Sequence, residues 1–487
     1  MPPSRDRETI KVAAERTVLA AVRLPDDRYD HDDPFGELRE LAEQAGAVIV
    51  GEIEQRLSRP QSGTYMGKGK IEELGHLCEA LDAVTIIFDH ELSPKQIAAI
   101  EETTERKVLD RSELILDIFA SRATTHEAKL QVEIAQLEYT YPRLRAMWDH
   151  LERIVGSGGI GGVGTRGPGE QQLEIDRRLV QRRKKVLTDE LAKIQARKRR
   201  QVQARNAEHF SVGLVGYTNA GKSTLFNALT SGGAYADDRV FATLMTRTRE
   251  WDLKSGEGQG GVTAMLSDTV GFVRDLPHHL VASFRATLEE ATHADLLLII
   301  LDVADPASEL HYETVRGTLD DLFEEIRKSE RKAKEVADRD GGTHEAYVPP
   351  PCVLLLNKAD LLEDQKEVLI WQTRHPGAMA VCSLADSEGR LRIGHDDLVA
   401  RVRREVEGEP RVLVIGVPLR DAKTIHTIES RGRVTAREYE GDHVTLTVEI
   451  GPKLIDRLLT SGVSLTINGE TPKREEKPAW KEAPAGP

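Results

Sequence analysis

The sequence predicts a multidomain α/β chain. A small α/β domain with a long helical hairpin comes first, then a phosphate-loop domain built on a parallel sheet, then a small α+β domain. Three observations carry this. Apolar runs alternate with helical stretches over residues 15–122 and again over 210–408, the pattern of parallel sheets with crossover helices. Residues 123–209 between them show apolar positions at helical spacing around a glycine-rich stretch. Finally, Gly216 to Ser223, GYTNAGKS, follows an apolar run and opens a helical pattern, the strand–turn–helix order that a phosphate-binding loop needs.

Residues 1–14 are polar, without the apolar core of a signal peptide, and are expected to be flexible. Beyond them Val18–Val22, Ala47–Val50, Val84–Phe88 and Lys107–Leu109 read as strands. Helical stretches between them contain Leu38/Leu41/Ala42, Ile71/Leu74/Leu77 and Ile97/Ile100. Within this domain SGTYMGKGK, Ser62 to Lys70, looks superficially like a second phosphate loop. Its glycines are wrongly spaced and Ile71 stands where a hydroxyl is needed, so it reads as a loop with two mobile lysines.

In the next segment Leu130, Ile134, Leu137, Tyr141 and Leu144 recur at steps of four and three, and Leu173, Val180, Leu187 and Ile194 recur every seven. Two such seams predict an antiparallel helical hairpin. Residues 156–169 hold eight glycines in fourteen positions and form its tip loop; a disordered linker fits the same composition. Residues 170–205 carry 12 Lys/Arg against 5 Asp/Glu, a local +7 that leaves about −21 on the rest of a chain whose net charge is −14. A cationic rod on an acidic body suits docking on a phosphate backbone, although a solvated helix face has the same charge.

After residue 408 a linker, Glu407-Gly408-Glu409-Pro410, leads into a module over 409–470. It comprises a strand over Arg411–Val417, a hairpin of Val434–Glu438 with Val444–Ile450 turning at Glu440-Gly441-Asp442, and a helix over Lys453–Leu459. The tail 471–487, rich in Pro, Glu and Lys, is expected to be disordered. The charged insertion Glu324–Gly342 reads as a surface extension of a helix. Three distant cysteines, Cys78, Cys352 and Cys382, argue against disulfides and for a reducing compartment. The longest apolar run, Leu296–Leu301, is too short to span a bilayer. A cytoplasmic location is expected, with a membrane-associated fraction left open.

The chemistry concentrates in the third segment. In the phosphate loop, Gly216 and Gly221 let the backbone wrap a phosphate, and Tyr217, Thr218, Asn219 and Ala220 complete the cradle of N–H groups. Lys222 supplies a point charge and Ser223 a hydroxyl for Mg²⁺. Asp268, Thr269, Val270 and Gly271 form DTVG, whose Asp268 can hold Mg²⁺ through water and whose Gly271 N–H can meet a γ-phosphate. Asn357, Lys358, Ala359 and Asp360 form NKAD at the end of an apolar strand. Asp360 can accept from guanine N1–H and N2–H₂, a pair adenine lacks, and rejection of adenine follows because a buried carboxylate would be left unpaired. Ser383, Leu384 and Ala385 would bring backbone N–H groups near the guanine carbonyl. Between loop and DTVG lie Phe241, Ala242, Thr243, Leu244 and Met245; Thr243 is the candidate switch threonine closing on Mg²⁺ and the γ-phosphate. The expected metal ligands are therefore Ser223, Thr243 and, through water, Asp268. No catalytic side chain is assigned. Thr243 and Gly271 are candidate switch contacts, and Phe272 stands where many small GTPases carry a water-orienting glutamine. Hydrolysis should therefore be slow until a partner orders the switches. His278 and His279 read as a surface pair.

Together these stretches resemble the HflX-type ribosome-associated GTPases of the Obg–HflX group of translation GTPases. The likeness extends over nearly all of residues 15–470 and includes GTYMGKGK, VLDRSELILDIFASRATTHEAKLQVEIAQLEY, GGIGGVGTRGPGE, GYTNAGKSTLFNAL, FATL, DTVGFVRDLPHHLVASFRATLEE and NKAD. The resemblance implies GTP as substrate, Mg²⁺, and a monomer. It also implies binding to the large ribosomal subunit, whose rRNA would meet the hairpin and glycine loop, and splitting or rescue of stalled ribosomes under stress. A large-subunit assembly factor and a GTP-switched protein-binding module are the alternatives. Two departures stand out: Met245-Thr246-Arg247-Thr248-Arg249 replaces the family's usual Asp-Pro-Thr-Thr-Arg after FATL, and Leu384 replaces alanine after Ser383.

Overall fold

The structure, a computed structural model, describes residues 14–25, 27, 29–139, 168–230, 247–253, 262–274, 291–339, 347–386, 390–460 and 465–469. The N-terminal domain runs β1 (Arg16–Arg23), α1 (Gly36–Gln44), β2 (Val48–Arg56), α2 (Lys68–Ala80), β3 (Thr85–Phe88), α3 (Pro94–Thr104) and β4 (Lys107–Asp110). All four strands are parallel, in the order β2-β1-β3-β4. Strand β1 is central: Val18 to Val22 are wholly buried, and the sheet carries a separate apolar core on each face. That explains its unbroken apolar run, since a strand covered on both faces needs no alternation. Helix α3 begins with a capping box, Ser93 with Gln96, and Pro94.

Helix α4 (Arg111–Arg122) follows β4 directly and was not legible as a separate element. Its Leu114, Ile115, Leu116, Ile118 and Phe119 are all buried, so it shows no polar face to give a helical period. The lysines of SGTYMGKGK are also placed differently from expectation. Lys68 and Lys70 lie in the first turn of α2, Lys70 pairs with Glu73 at 2.8 Å, and Met66 is wholly buried, because the sequence after Gly67 is already helical.

Helix α5 covers 126–139 and α6 covers Pro168–Glu208, so Pro168 and Gly169 of the expected tip loop are helical. Proline fits a first helical position, where its missing N–H has no intrahelical partner. The rest of that loop, with Tyr141 and Leu144, lies outside the described residues. Leu130 and Ile134 pack on Leu187 and Leu191, with Leu137 and Ile194 beside them. His126 Nε2 meets Glu190 at 2.8 Å, and the ion pairs Arg183–Glu133 and Lys184–Glu138 link the two helices further along.

The central domain has the sheet order β10-β9-β8-β5-β7-β6. Its strands are β5 (Phe210–Gly216), β6 (Arg247–Asp252), β7 (Thr263–Asp268), β8 (Leu296–Asp302), β9 (Cys352–Asn357) and β10 (Met379–Ala380), parallel except for edge strand β6. Helix α7 (Lys222–Leu229) follows the phosphate loop, and α8 runs from Ser308 to Arg339, through most of the charged insertion. Helices α9 (Lys366–Arg374) and α10 (His395–Glu407) flank a two-stranded ribbon of β11 (Cys382–Ala385) and β12 (Leu391–Ile393). Leu296 to Leu301 of β8 are buried throughout, each side chain contributing about 2 kcal/mol.

The last module reads β13 (Arg411–Pro418), α11 (Ala422–Arg431), β14 (Arg433–Glu440), β15 (His443–Ile450), α12 (Pro452–Thr460) and β16 (Thr466–Ile467). Its antiparallel sheet has the order β14-β15-β13-β16, a ferredoxin-like arrangement. Helix α11 and the short β16 are additions to the elements read from sequence. Among the described residues no helix is long and apolar enough to cross a membrane.

Candidate nucleotide site

The candidate site is built where β5 ends. Gly216 lies so close to β8 that a Cβ there would sit 2.3 Å from the Ile300 carbonyl oxygen. Gly221 has φ +94°, and a Cβ would fall 2.3 Å from Asn357 Nδ2, so geometry and space both require glycine. Asn219 takes the left-handed region between them, φ 59°. The Lys222 amine is buried and donates to the Tyr217 carbonyl at 2.5 Å, within its own loop. Burial pushes this lysine down to about 8, with Asp268 acting in the opposite direction.

Ser223 Oγ donates to Asp268 Oδ2 at 2.8 Å. A hydroxyl and a carboxylate are hard oxygen donors, and no group of three or more His, Cys, Asp or Glu capable of holding a metal occurs among the described residues. Two protein donors leave most positions to water and phosphate oxygens, which fits Mg²⁺ and does not suit a structural metal. Thr243 lies outside the described residues, as do Phe241, Ala242, Leu244, Met245, His278 and His279.

Asn357, at the end of β9, ties the site together. Its Nδ2 donates to the Ala220 carbonyl at 2.7 Å, and its Oδ1 accepts from Ser383 N at 3.0 Å and Ser383 Oγ at 2.7 Å. One buried amide thus joins the phosphate loop to β11. Lys358 has φ 58° and its amine meets Asp302 at 2.5 Å, which aligns the stem across the loop. Asp360 is exposed, on a short 3₁₀ turn beside Cys382. Burial of Asp360, on which the rejection of adenine depends, must therefore come from a bound base. Ser383 is buried, and Leu384 and Ala385 are exposed.

Asp268 and Thr269 are wholly buried, and Thr269 Oγ1 donates to the Leu214 carbonyl at 2.6 Å. Phe272 N donates to the Gly216 carbonyl at 3.0 Å and Thr218 N to the Phe272 carbonyl at 2.9 Å, stitching DTVG to the phosphate loop. The Phe272 side chain is buried in the core with Tyr217 and Leu297. The Tyr217 ring stacks on His311, with centroids 3.9 Å apart.

Sequence reasoning missed a second layer. The Tyr217 hydroxyl donates to Glu37 of α1, and Asn219 Nδ2 donates to Glu40. Arg111 bridges Glu37 at 2.8 Å and Asp89 at 2.7 Å, and Arg274 reaches Asp89 at 3.0 Å. Burial works to raise the Asp89 carboxyl; Arg111, Arg274, His90 and Arg23 hold it below its ordinary value. The partners stand up to 237 positions apart, so no local spacing betrays them. The only signal was an arginine two places after Phe272.

Residues 32–120 match the family described as GTP-binding GTPase N-terminal, 122–205 the GTP-binding GTPase Middle Region, and 211–339 the 50S ribosome-binding GTPase family. Curated relatives with the name GTPase HflX are similar over most of their length. The protein of Caldanaerobacter subterraneus subsp. tengcongensis is 35% identical over 451 residues, 91% of this chain and 93% of that one. That of Lacrimispora saccharolytica is 45% identical over 64% of this chain and 72% of its own. That of Escherichia coli is 40% identical over 72% and 75%. Among solved structures, a GTP-binding protein from Sulfolobus solfataricus in complex with GDP has TM-score 0.37 at 21% identity, covering 80% of this chain and 98% of that one.

Proposed function

The chain belongs to the HflX family of GTPases, and on that premise we propose that it docks on the large ribosomal subunit and uses its GTP cycle to split or rescue stalled ribosomes. GTP hydrolysis itself follows from the family and from the phosphate-loop fold. The observation that supports the ribosomal reading is the cationic hairpin. Arg182 and Lys185 are exposed on α6, while Arg183 and Lys184 are taken up by Glu133 and Glu138 of α5. Such a face is suited to a phosphate backbone and its contacts would be salt-dependent. Its partner in this reading is rRNA, met by a monomer in the cytoplasm.

At the nucleotide, Gly216 to Ser223 cradle the phosphates, and Asp360 reads guanine while the Lys358 stem covers one face of the base. Ser223 and, through water, Asp268 would hold Mg²⁺ together with Thr243; when bound, the ion neutralises charge developing on the phosphates. Gly271 N–H meets the γ-phosphate. With the Phe272 ring committed to the core, no side chain at that position orients water. Hydrolysis is therefore slow alone and rises when ribosomal subunits order the switches. Turnover measured with and without subunits tests this, and fast turnover without them would refute it.

Sedimentation of intact ribosomes through sucrose with this protein and GTP or a non-hydrolysable analogue tests the whole reading. Dissociation into subunits is the expected result. Binding confined to immature large subunits would replace it with an assembly role, and no ribosome binding would leave a GTP-switched protein-binding module.

A further inference from the structure

We infer that Arg274 is a positioning residue for the GTP cycle: the N-terminal sheet holds its guanidinium where a doubly wound sheet ordinarily holds a ligand, and thereby clamps segment 270–274 onto the phosphate loop. The inference rests on GTP binding and not on the ribosomal reading.

In the order β2-β1-β3-β4 the chain leaves β1 and β3 toward opposite edges, so the crevice beyond their carboxyl ends is the ligand position of such sheets. Arg23 ends β1 and Asp89 follows β3 at this point. The wholly buried Asp89 carboxylate accepts from Arg23 at 2.8 Å and Arg111 at 2.7 Å, both within its own domain, and from Arg274 at 3.0 Å. The third guanidinium arrives from the nucleotide-binding domain, from the strand end that carries DTVG.

The surroundings hold the same segment from several sides. Val270 and Val273 are buried in the N-terminal core with Leu38, Leu41 and Phe119, while Phe272 between them points into the other domain. The Arg274 carbonyl accepts from Arg111 at 3.1 Å, and its N–H donates to the Tyr217 hydroxyl at 2.9 Å. Tyr217 donates in turn to Glu37, which Arg111 also grips. A cleft of about 350 Å³ lined by Glu37, Glu40, Asn219 and Arg274 borders this junction.

The clamp matters because of where it puts Gly271. A Cβ built there would lie 3.0 Å from Lys222 Nζ and 2.8 Å from Thr218 Cγ2. The space beside the Gly271 backbone is therefore closed by the amine that must meet the β- and γ-phosphates, and the amine is turned to Tyr217. A γ-phosphate has to fit between Lys222 and the Gly271 N–H, so the segment must withdraw. GDP makes no such demand. The Arg274–Asp89 bond thus weights the equilibrium against the triphosphate, and a ligand's preference between states is set by that difference.

The test uses the full chain without ribosomes, with fluorescent GDP and a non-hydrolysable GTP analogue. Arg274→Ala should tighten the analogue relative to GDP by about tenfold, the worth of one charge-assisted hydrogen bond. Arg274→Lys, which keeps a cation for Asp89 but loses the guanidinium's second contact, Nε to Glu37 at 3.6 Å, should fall between. Glu37→Gln, loosening the clamp from the other side, should shift the ratio in the same direction and guards against a poorly folded Arg274 variant. A ratio unchanged within about twofold in variants with wild-type melting temperature would overturn the inference. So would an equal loss of both nucleotides, which would make Arg274 merely structural. Since no ribosome enters the assay, neither outcome bears on the ribosomal reading.

Discussion

Replacing Asn357 by alanine should loosen nucleotide binding. Its side chain makes three hydrogen bonds, to Ala220 at 2.7 Å and to Ser383 at 3.0 and 2.7 Å. Each contributes about 1 kcal/mol, and buried groups that lose their partner cost about 1–3 kcal/mol more, so the total is roughly 4 kcal/mol. These bonds exist before nucleotide arrives, so part of the loss appears as a lower melting temperature. The remainder falls on affinity, because the ligand must then bring phosphate loop and β11 together itself. About 2 kcal/mol of it, a roughly 30-fold weaker Kd for fluorescent GDP, is the expected reading. Asn357→Asp should be worse, since a carboxylate oxygen would face the Ala220 carbonyl where an amide now donates. Affinity for Asn357→Ala within about threefold of wild type, or better binding by the aspartate variant, would refute this account.

The buried Lys222 predicts a pH effect. Its lowered value, about 8, means that part of the population is neutral above that pH, whereas bound phosphate demands the cation. Affinity should be flat below about pH 8 and fall above it, by up to about tenfold per unit, with proton uptake on binding. Calorimetry in buffers of different ionisation enthalpy should find marked uptake near about pH 8.5 and little near about pH 7; equal values at both would reject it. Asp360→Asn removes the acceptor for guanine N1–H and N2–H₂ and should weaken GDP by roughly 100-fold or more while favouring xanthine nucleotides, read by competition binding. Charge reversal at Arg182 and Lys185 should weaken subunit binding and lower the salt slope by about two. The same change at Arg183 and Lys184 should instead lower the melting temperature, because those side chains pair with α5.

What the sequence by itself determined is local. A strand buried on both faces reads as an apolar run, and β1 and β9 were visible for that reason. A phosphate loop needs its glycines at fixed spacing because a Cβ at Gly216 or Gly221 would collide with neighbouring atoms, so GYTNAGKS could be recognised without knowing those neighbours. NKAD was legible in the same way. Helix α4 was not, because near-complete burial erased its polar face, and neither was the pairing of Arg183 and Lys184 with Glu133 and Glu138 of α5. The exposure of Asp360 was decided by packing alone. Above all, only the tertiary structure decided what DTVGFVR rests on. Val270 and Val273 of that segment turn into one core and Phe272 into another, and Arg274 meets Asp89 across 185 positions of chain. A buried ion pair between distant segments leaves no periodicity, because its geometry comes from the packing of one domain against another and not from the path of either strand.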